Sequence, residues 1–430
     1  MSEASNVSDH RNLRHSRWYE VILMSWPFQL LLGLLLVVGA SSLARWEWGF
    51  WHNLTPTQIN SIVAIAVPFI ASILTLRRLL RFPGAHSAAY PFPTVTIWYA
   101  GAIIVVFSLQ VEHARTVFVH AYVYTVIWCY LGYFIGRKYR TLKIGLLPFG
   151  NALELESLPD VYWRPLDEPT LGETRVDAVV ADLRAEIPPP WQKFLANCTL
   201  NSIPVYHVKH ISESMTGRVR MDHLMENEIG SLIPSRTYAA FKRALDLVGV
   251  ALLGIPLLPL LIVTAIAMRL ESSGPVIYRQ ERMGFRGKPF IMYKFRSMCA
   301  DADKQKHYTD GCDDPRITRV GRIIRKYRID ELPQLLNIVK GDMSFIGPRP
   351  EAVSLSEWYE QEIPFFSYRH VVRPGISGWA QVEQGYAAEV EGVTIKLEYD
   401  FYYIKYFSFW LDMLIFFKTI KTILTGFGSR

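Results

Sequence analysis

Hydrophobic positions gather into long unbroken runs in the first third of the chain and into shorter, patterned runs after it. Four apolar stretches cover roughly 21–43, 57–76, 95–112 and 116–136, each close to the ~20 residues that a helix needs to cross a bilayer. They predict four transmembrane helices within 19–140, preceded by a polar tail over 1–18. Residues 141–235 change character, with short apolar runs at 143–147, 176–181 and 203–208 between polar, helix-compatible segments. That alternation predicts a small α/β module, Rossmann-like in pattern. A fifth apolar run, 244–268, carries Pro256 and Pro259 at its middle, with Lys242 and Arg243 before it and Arg269 after it. Proline removes a helix hydrogen bond and forces a break, and a break at membrane depth is tolerated where protein covers it. The expectation is a re-entrant helix over 242–270, broken at Pro256 and Pro259, that enters and leaves on one face and heads a last domain over 236–430.

Within that domain, alternation through 276–282, a turn at 284–287 and renewed alternation through 289–295 predict a β-hairpin. Ile317, Val320, Ile323, Ile324 and Tyr327 recur at helical spacing, with Arg319, Arg322, Arg325 and Lys326 elsewhere on the same helix. Such a basic amphipathic helix suits a membrane surface. Residues 396–424, dense in aromatics with Lys405, Lys418 and Lys421 among them, are read as belonging to the headgroup layer, with a core helix as the alternative for part of the segment.

Charge sharpens the membrane reading. Half the residues are hydrophobic and the net charge is +7, but the basic residues cluster beside the apolar runs. Arg11, Arg14 and Arg17 precede the first run, Arg77, Arg78 and Arg81 separate the second from the third, and Arg137, Lys138, Arg140 and Lys143 follow the fourth. The other connections carry only Arg45 and Arg115, beside Trp46, Trp48 and Trp51. By the positive-inside rule both ends of the bundle face the cytoplasm. Basic residues so placed suit lipid headgroups and phosphorylated substrates, and nothing calls for nucleic acid. Cys129, Cys198, Cys299 and Cys312 form no CxxC pair, which argues against a zinc site and fits a reducing compartment. His207 and His210, three apart without a third ligand, are read as ordinary surface residues.

Two short constellations carry candidate chemistry. Asp330 and Glu331 precede Leu332-Pro333-Gln334 and an apolar run ending at Gly341. Asp as N-cap, with Glu and Pro in the first turn, predicts that the pair opens a helix, and a helix N-terminus attracts phosphate. Downstream, Gly347-Pro348-Arg349-Pro350 holds an arginine between two prolines, where its guanidinium can grip phosphate oxygens in bidentate fashion.

From Lys242 to the C-terminus the chain resembles the bacterial sugar transferase family, the monotopic phosphoglycosyl transferases. The matching stretches are KRALDL, GPVIYRQERMGFRGKPFIMYKFRSM, DPRITRVGRIIRKYRIDELPQLLNIVKGDMSFIGPRPE, RPGISGWAQV and KLEYDFYYI. The resemblance implies a membrane α+β fold: a four-helix transmembrane bundle, the α/β middle module and a monotopic catalytic domain with a re-entrant helix and interfacial amphipathic helices. It implies transfer of a sugar-1-phosphate from a UDP-sugar to undecaprenyl phosphate, with UMP released, as the first membrane step of exopolysaccharide, capsule or O-antigen synthesis. The expected site is at the cytoplasmic face of a bacterial inner membrane. Asp330 would be the nucleophile, forming a covalent phosphosugar ester. Glu331 would be a ligand for Mg²⁺, and Lys294, Arg296, Arg325 and Arg349 would surround the phosphates. A second copy of the chain is a candidate partner. The family commonly places Ser-Pro at the break of the membrane helix, where this chain has Leu258-Pro259. The competing function is a catalytically silent scaffold of polysaccharide assembly, which would have had no need to keep the motifs around Asp330 and Arg349.

Overall fold

The computed structural model describes residues 22, 25–46, 48, 50–83, 88–139, 142–159, 161–172, 176–221, 233–299, 316–384 and 390–425. The tail over 1–18 with its three arginines, Arg140 and Cys312 lie outside the described residues. The chain forms two compact units, 1–217 and 218–430.

In the first unit, helices α1 (Trp26–Leu43), α2 (Pro56–Leu79), α3 (Pro91–Ser108) and α4 (Arg115–Tyr139) follow the four apolar runs. The first three each begin with a proline in the first turn, where its missing N–H costs nothing. The helices share a core that includes Val37, Ile65, Phe69, Val95, Tyr99 and Phe118. Gly33 lets α1 close on α4, because a Cβ there would meet Trp128 Nε1 at 2.3 Å. The same indole N–H donates to the Gln29 carbonyl at 3.2 Å. Leu31, Leu35, Ile104 and Val119 point outward at 64, 69, 65 and 61% exposure, an apolar surface too large for water to tolerate. Among the described residues five helices are long and apolar enough to cross a membrane, and the chain is a membrane protein.

Strands β1 (Leu142–Leu146), β2 (Val161–Pro165), β3 (Ala178–Ala181) and β4 (Val205–His207) form a parallel sheet in the order β2-β1-β3-β4. Every residue of β3 is buried, as in a strand covered on both faces. Helix α5 (Pro189–Leu200) contributes Trp191, Phe194 and Cys198 to one core cluster, and α6 (Val208–Thr216) contributes Val208 and Ile211 to another. Three strands fall on the expected apolar runs; β2, with Tyr162, Arg164 and Pro165 exposed, lacked a pattern strong enough to expect. His207 caps α6, its Nδ1 accepting from the Lys209 amide at 3.0 Å.

The second unit begins with Arg218 and Val219, whose amide donates to the Glu398 carbonyl at 3.0 Å. Helix α7 (Arg236–Glu271) is unbroken over 36 residues and runs through Pro256 and Pro259. The expected interruption is thus not a gap in the helix: proline's fixed φ is itself helical, so each proline deletes one hydrogen bond while the flanking turns continue. Both ends of α7 return to the same unit. Near its start, Asp246 accepts from Ser344 Oγ at 3.1 Å and the Phe345 amide at 3.2 Å. At its end, Glu271 accepts from the amides of Arg319 and Val320 at 2.7 and 3.0 Å. Between them Leu252, Ile255, Leu258 and Ile262 are exposed.

Strands β5 (Ile277–Met283) and β6 (Pro289–Phe295) form the expected antiparallel hairpin. Helix α8 (Arg319–Lys326) is capped by the Thr318 hydroxyl. A 3₁₀ turn (Ile329–Gln334) leads into α9 (Leu335–Lys340), and β7 (Ser344–Ile346) pairs in parallel with β8 (Gly375–Ser377). Helices α10 (Val353–Glu362), α11 (Trp379–Glu383), α12 (Val390–Lys405) and α13 (Phe409–Thr425) complete the unit. The headgroup-layer reading of 396–424 gives way to a core role for much of the segment: Phe401, Tyr402, Tyr403, Leu411 and Leu414 are at most 2% exposed. Asp412 on α13 accepts from Tyr238 Oη and Lys242 Nζ of α7, each at 2.5 Å, and from Tyr403 Oη at 2.8 Å. These bonds tie the apolar helix to the aromatic core.

Candidate active site

Asp330 and Glu331 lie in the 3₁₀ turn between α8 and α9, and Asp330 is not the expected helix cap. The residue in the cap position is Arg328, whose backbone is left-handed at φ 57°, a conformation that costs a non-glycine residue roughly 1–3 kcal/mol. The turn is held by the fully buried Asn337, which donates to the Ile291 carbonyl at 2.7 Å and accepts from the Tyr293 amide at 3.1 Å. That pair of bonds locks α9 onto β6, the strand carrying Lys294.

The two carboxylates sit in different surroundings. Glu331 Oε1 accepts from Arg349 Nη2 at 2.7 Å and lies 3.5 Å from Arg328 Nη1. Burial alone would raise its pKa, but Arg349, Lys294 and Arg328 overrule burial and hold it down to about 2. Asp330 Oδ1 is buried and has no hydrogen-bond partner among the described residues. Burial and the adjacent Glu331 raise the Asp330 pKa, against the pull of Lys294, Arg325 and Arg328. Burial and the Arg349 charge bring Lys294 down to about 8. Arg325 is fixed by Nε donating to Ser297 Oγ at 2.7 Å.

Lys294, Arg325 and Arg349 therefore join Asp330 and Glu331 as expected, and Arg296 does not. Its Nη1 and Nη2 donate to the carbonyls of Ser273 and Ser272 at 2.7 and 3.1 Å, where they satisfy the end of α7. The alternation that puts Lys294 at the carboxylates ends with the strand at Phe295, so Arg296 answers to a different neighbour. Pro256 and Pro259, inside α7, make no contribution to this cluster. Arg328 completes it and escaped the sequence reading, although its place three residues before Glu331 was visible. Arg282 also escaped it: its Nη1 donates to the Pro350 carbonyl at 3.0 Å.

Four cations thus meet two carboxylates, an excess suited to a diphosphate, where charge must be offset before an anionic nucleophile can approach. The donor set also fits Mg²⁺, which takes one or two carboxylates and completes its shell with water and phosphate oxygens. Glu331 would hold it, leaving the unpartnered Asp330 Oδ1 free. Among the described residues no three His, Cys, Asp or Glu side chains converge as a closed protein cage.

Comparison with known proteins identifies the family. Residues 237–426 match the family model described as bacterial sugar transferase. The UDP-N-acetylgalactosamine-undecaprenyl-phosphate N-acetylgalactosaminephosphotransferase of Aeromonas hydrophila is 51% identical over 419 residues, 97% of this chain and 99% of that protein. The UDP-glucose:undecaprenyl-phosphate glucose-1-phosphate transferase of Caulobacter vibrioides is 41% identical over 198 residues, 46% of this chain and 74% of that one. The Escherichia coli protein of the same name is 43% identical over 182 residues, 42% of this chain and 39% of its own length. A carboxylate pair ringed by four cations, in a unit whose first helix is long and apolar enough to cross a membrane, is suited to phosphate chemistry. The chain belongs to the bacterial sugar transferase family, and it is a transferase.

Proposed function

We propose that the protein transfers a sugar-1-phosphate from a UDP-sugar to undecaprenyl phosphate through an ester on Asp330, with UDP-N-acetylgalactosamine as the first-choice donor. The observation that carries this reading is the half-buried Asp330 carboxylate, whose buried Oδ1 is unpartnered among Lys294, Arg325 and Arg328. An oxygen that must form a bond to phosphorus has to be free, and Asp330 Oδ1 is free within a cluster of cations. The choice of sugar rests on the Aeromonas relative, which matches from end to end.

In the first step an Asp330 oxygen attacks the phosphorus that bears the sugar. The bond from that phosphorus to the bridging oxygen breaks, and UMP leaves with the electron pair. An oxygen of undecaprenyl phosphate then attacks the same phosphorus, which restores the carboxylate and gives undecaprenyl-diphospho-sugar. Arg325, Lys294 and Arg349 bind the phosphate oxygens and offset the repulsion between anionic partners. Mg²⁺, when bound, would neutralise diphosphate charge. Glu331, ionised because Arg349 holds it so, would be its ligand.

The catalytic unit sits at the cytoplasmic face of the inner membrane, with α7 as a re-entrant segment. From Asp246 to Glu271 a straight helix would rise about 38 Å; both residues bond to the same unit, and the exposed apolar residues lie between them. UMP release from a panel of UDP-sugars tests the reading, with protein in nanodiscs, Mg²⁺ and undecaprenyl phosphate present. One sugar should release UMP, and Asp330→Asn should not; turnover by the variant would remove Asp330 from the chemistry.

A further inference from the structure

The loop that carries Arg349 is held at every carbonyl. Pro348 O accepts from the Gly375 amide at 3.0 Å, Arg349 O from Arg369 Nη2 at 2.9 Å, Pro350 O from Arg282 Nη1 at 3.0 Å, and Glu351 O from the Met283 amide at 2.9 Å. Gly347 permits the approach, because a Cβ there would meet the Arg373 carbonyl at 2.3 Å. The bond to Arg349 itself comes from the most deeply buried of these groups. The Arg369 side chain is 2% exposed, and its Nη2 also pairs with Asp400 Oδ2 at 2.8 Å while Nη1 lies 3.6 Å from Glu351 Oε1. A buried arginine between two carboxylates is expensive to assemble and leaves an uncompensated charge when one partner goes. A backbone amide would have held that carbonyl at lower cost.

We infer that Arg369, anchored by Asp400, is a positioning residue that fixes the Arg349 backbone so that the Arg349 guanidinium meets Glu331 and the donor phosphates. Arg369 touches no substrate; it acts through one carbonyl. The inference rests on the phosphate-binding role of Arg349 proposed above. The planar fork of Arg369 reaches the Arg349 carbonyl, Asp400 and Glu351 together, which a lysine ammonium cannot do. Lys396 supplies the contrast. It pairs with Glu351 from α12 but makes no bond to the Arg349 carbonyl, so its loss removes buried charge compensation without releasing Arg349.

The test compares Arg369→Lys, Lys396→Met and Arg349→Lys in the full-length protein in nanodiscs. Readouts are the melting temperature and separate KM and kcat values for the best UDP-sugar and for undecaprenyl phosphate. Arg369→Lys should lower kcat/KM for the UDP-sugar by roughly 10- to 100-fold, the cost of a small misplacement, with KM for undecaprenyl phosphate unchanged. Lys396→Met should lower the melting temperature at least as much, yet keep kcat/KM within about threefold of wild type. Asp400→Asn, isosteric with the native residue, should repeat the Arg369→Lys loss and replaces that variant if it does not fold. Wild-type kcat/KM in Arg369→Lys or Asp400→Asn overturns the inference, as does activity that merely tracks melting temperature across all variants. If Arg349→Lys is itself fully active, the underlying reading of Arg349 has failed; if it is impaired while Arg369→Lys is not, only the positioning role has.

Discussion

Asp182 in the parallel-sheet module and Asp330 in the catalytic unit show two ways to place an aspartate. Asp182 follows β3 at the carboxyl end of the sheet, beside the point where the strand order reverses. α/β folds commonly put ligands there. Yet its carboxylate is consumed by its own chain: Oδ2 accepts from the Asn151 amide and Oδ1 from the Arg184 amide, both at 3.1 Å. Gly150 is shaped around it, since a Cβ at that position would meet Asp182 Oδ2 at 2.4 Å. Asp330 has the less conspicuous address, inside a 3₁₀ turn, and keeps a buried oxygen unpartnered beside four cations. Of these two aspartates, the one with unmet bonding capacity lies inside the cation cluster and the one at the sheet's switch point has none to spare.

Replacing Asp330 with Asn is expected to have the largest effect, at least about a 10³-fold loss of UMP release, since an amide cannot serve as the nucleophile. Arg349→Lys should follow at about 10²-fold, because an ammonium cannot reproduce the fork that meets Glu331 at 2.7 Å. UMP release by wild type and both variants, under saturating lipid, checks the order. Residual activity higher in Asp330→Asn than in Arg349→Lys would erase the distinction between the two aspartates.

Two pH dependences belong to the catalytic unit. Lys294 loses its proton near pH 8 because burial and Arg349 disfavour the cation, so kcat/KM should fall above that pH, by up to about tenfold per unit. Lys294→Arg should move the falling limb to higher pH. His370 is held neutral, its pKa lowered to about 4 from the ordinary 6.5 by burial and by Arg369. The unfolded chain therefore binds the extra proton between these values. The stability contribution is complete above about pH 6.5 and falls as pH drops toward 4, by up to about 1.4 kcal/mol per unit. Glu331 and Glu351, held near 2 from an ordinary 4.5, extend the loss from about pH 4.5 downward. Denaturant melts of wild type and His370→Asn at pH 5 and pH 7 should show a smaller pH difference in the variant.

Elements with a strong local period were legible in the sequence. The apolar runs became α1 to α4, and the 276–295 alternation became β5 and β6. What the sequence concealed depends on contacts distant along the chain. Phe401, Tyr402 and Tyr403 read as headgroup anchors because an aromatic run has the same composition in a core as at an interface, and only the packing of α7 and α13 separates the two. Arg296 read as a phosphate ligand because the family resemblance carried it over together with Lys294; the end of α7, brought alongside by the fold, claims it instead. Asp330 read as a helix cap from neighbours that do favour a turn, while the cap position falls to Arg328 in a left-handed conformation that its side chain does not announce. Arg369 and Asp400 left no signal, since a buried pair of opposite charges 31 positions apart looks like any two surface residues until α12 folds over them.

The smallest expected effect tests the other side of the opening contrast. Asp182→Asn keeps one acceptor oxygen but loses the second and the charge, so one of the two amide bonds is lost or weakened. The local cost should be about 1 kcal/mol, read as faster amide exchange around 150–152 and 182–185. UMP release should stay within about twofold of wild type, because no backbone amide in the catalytic cluster depends on Asp182. A loss of activity well beyond the loss of stability would mean that the carboxyl end of the parallel sheet takes part in the reaction. In that case a fully bonded aspartate would no longer count as evidence against function.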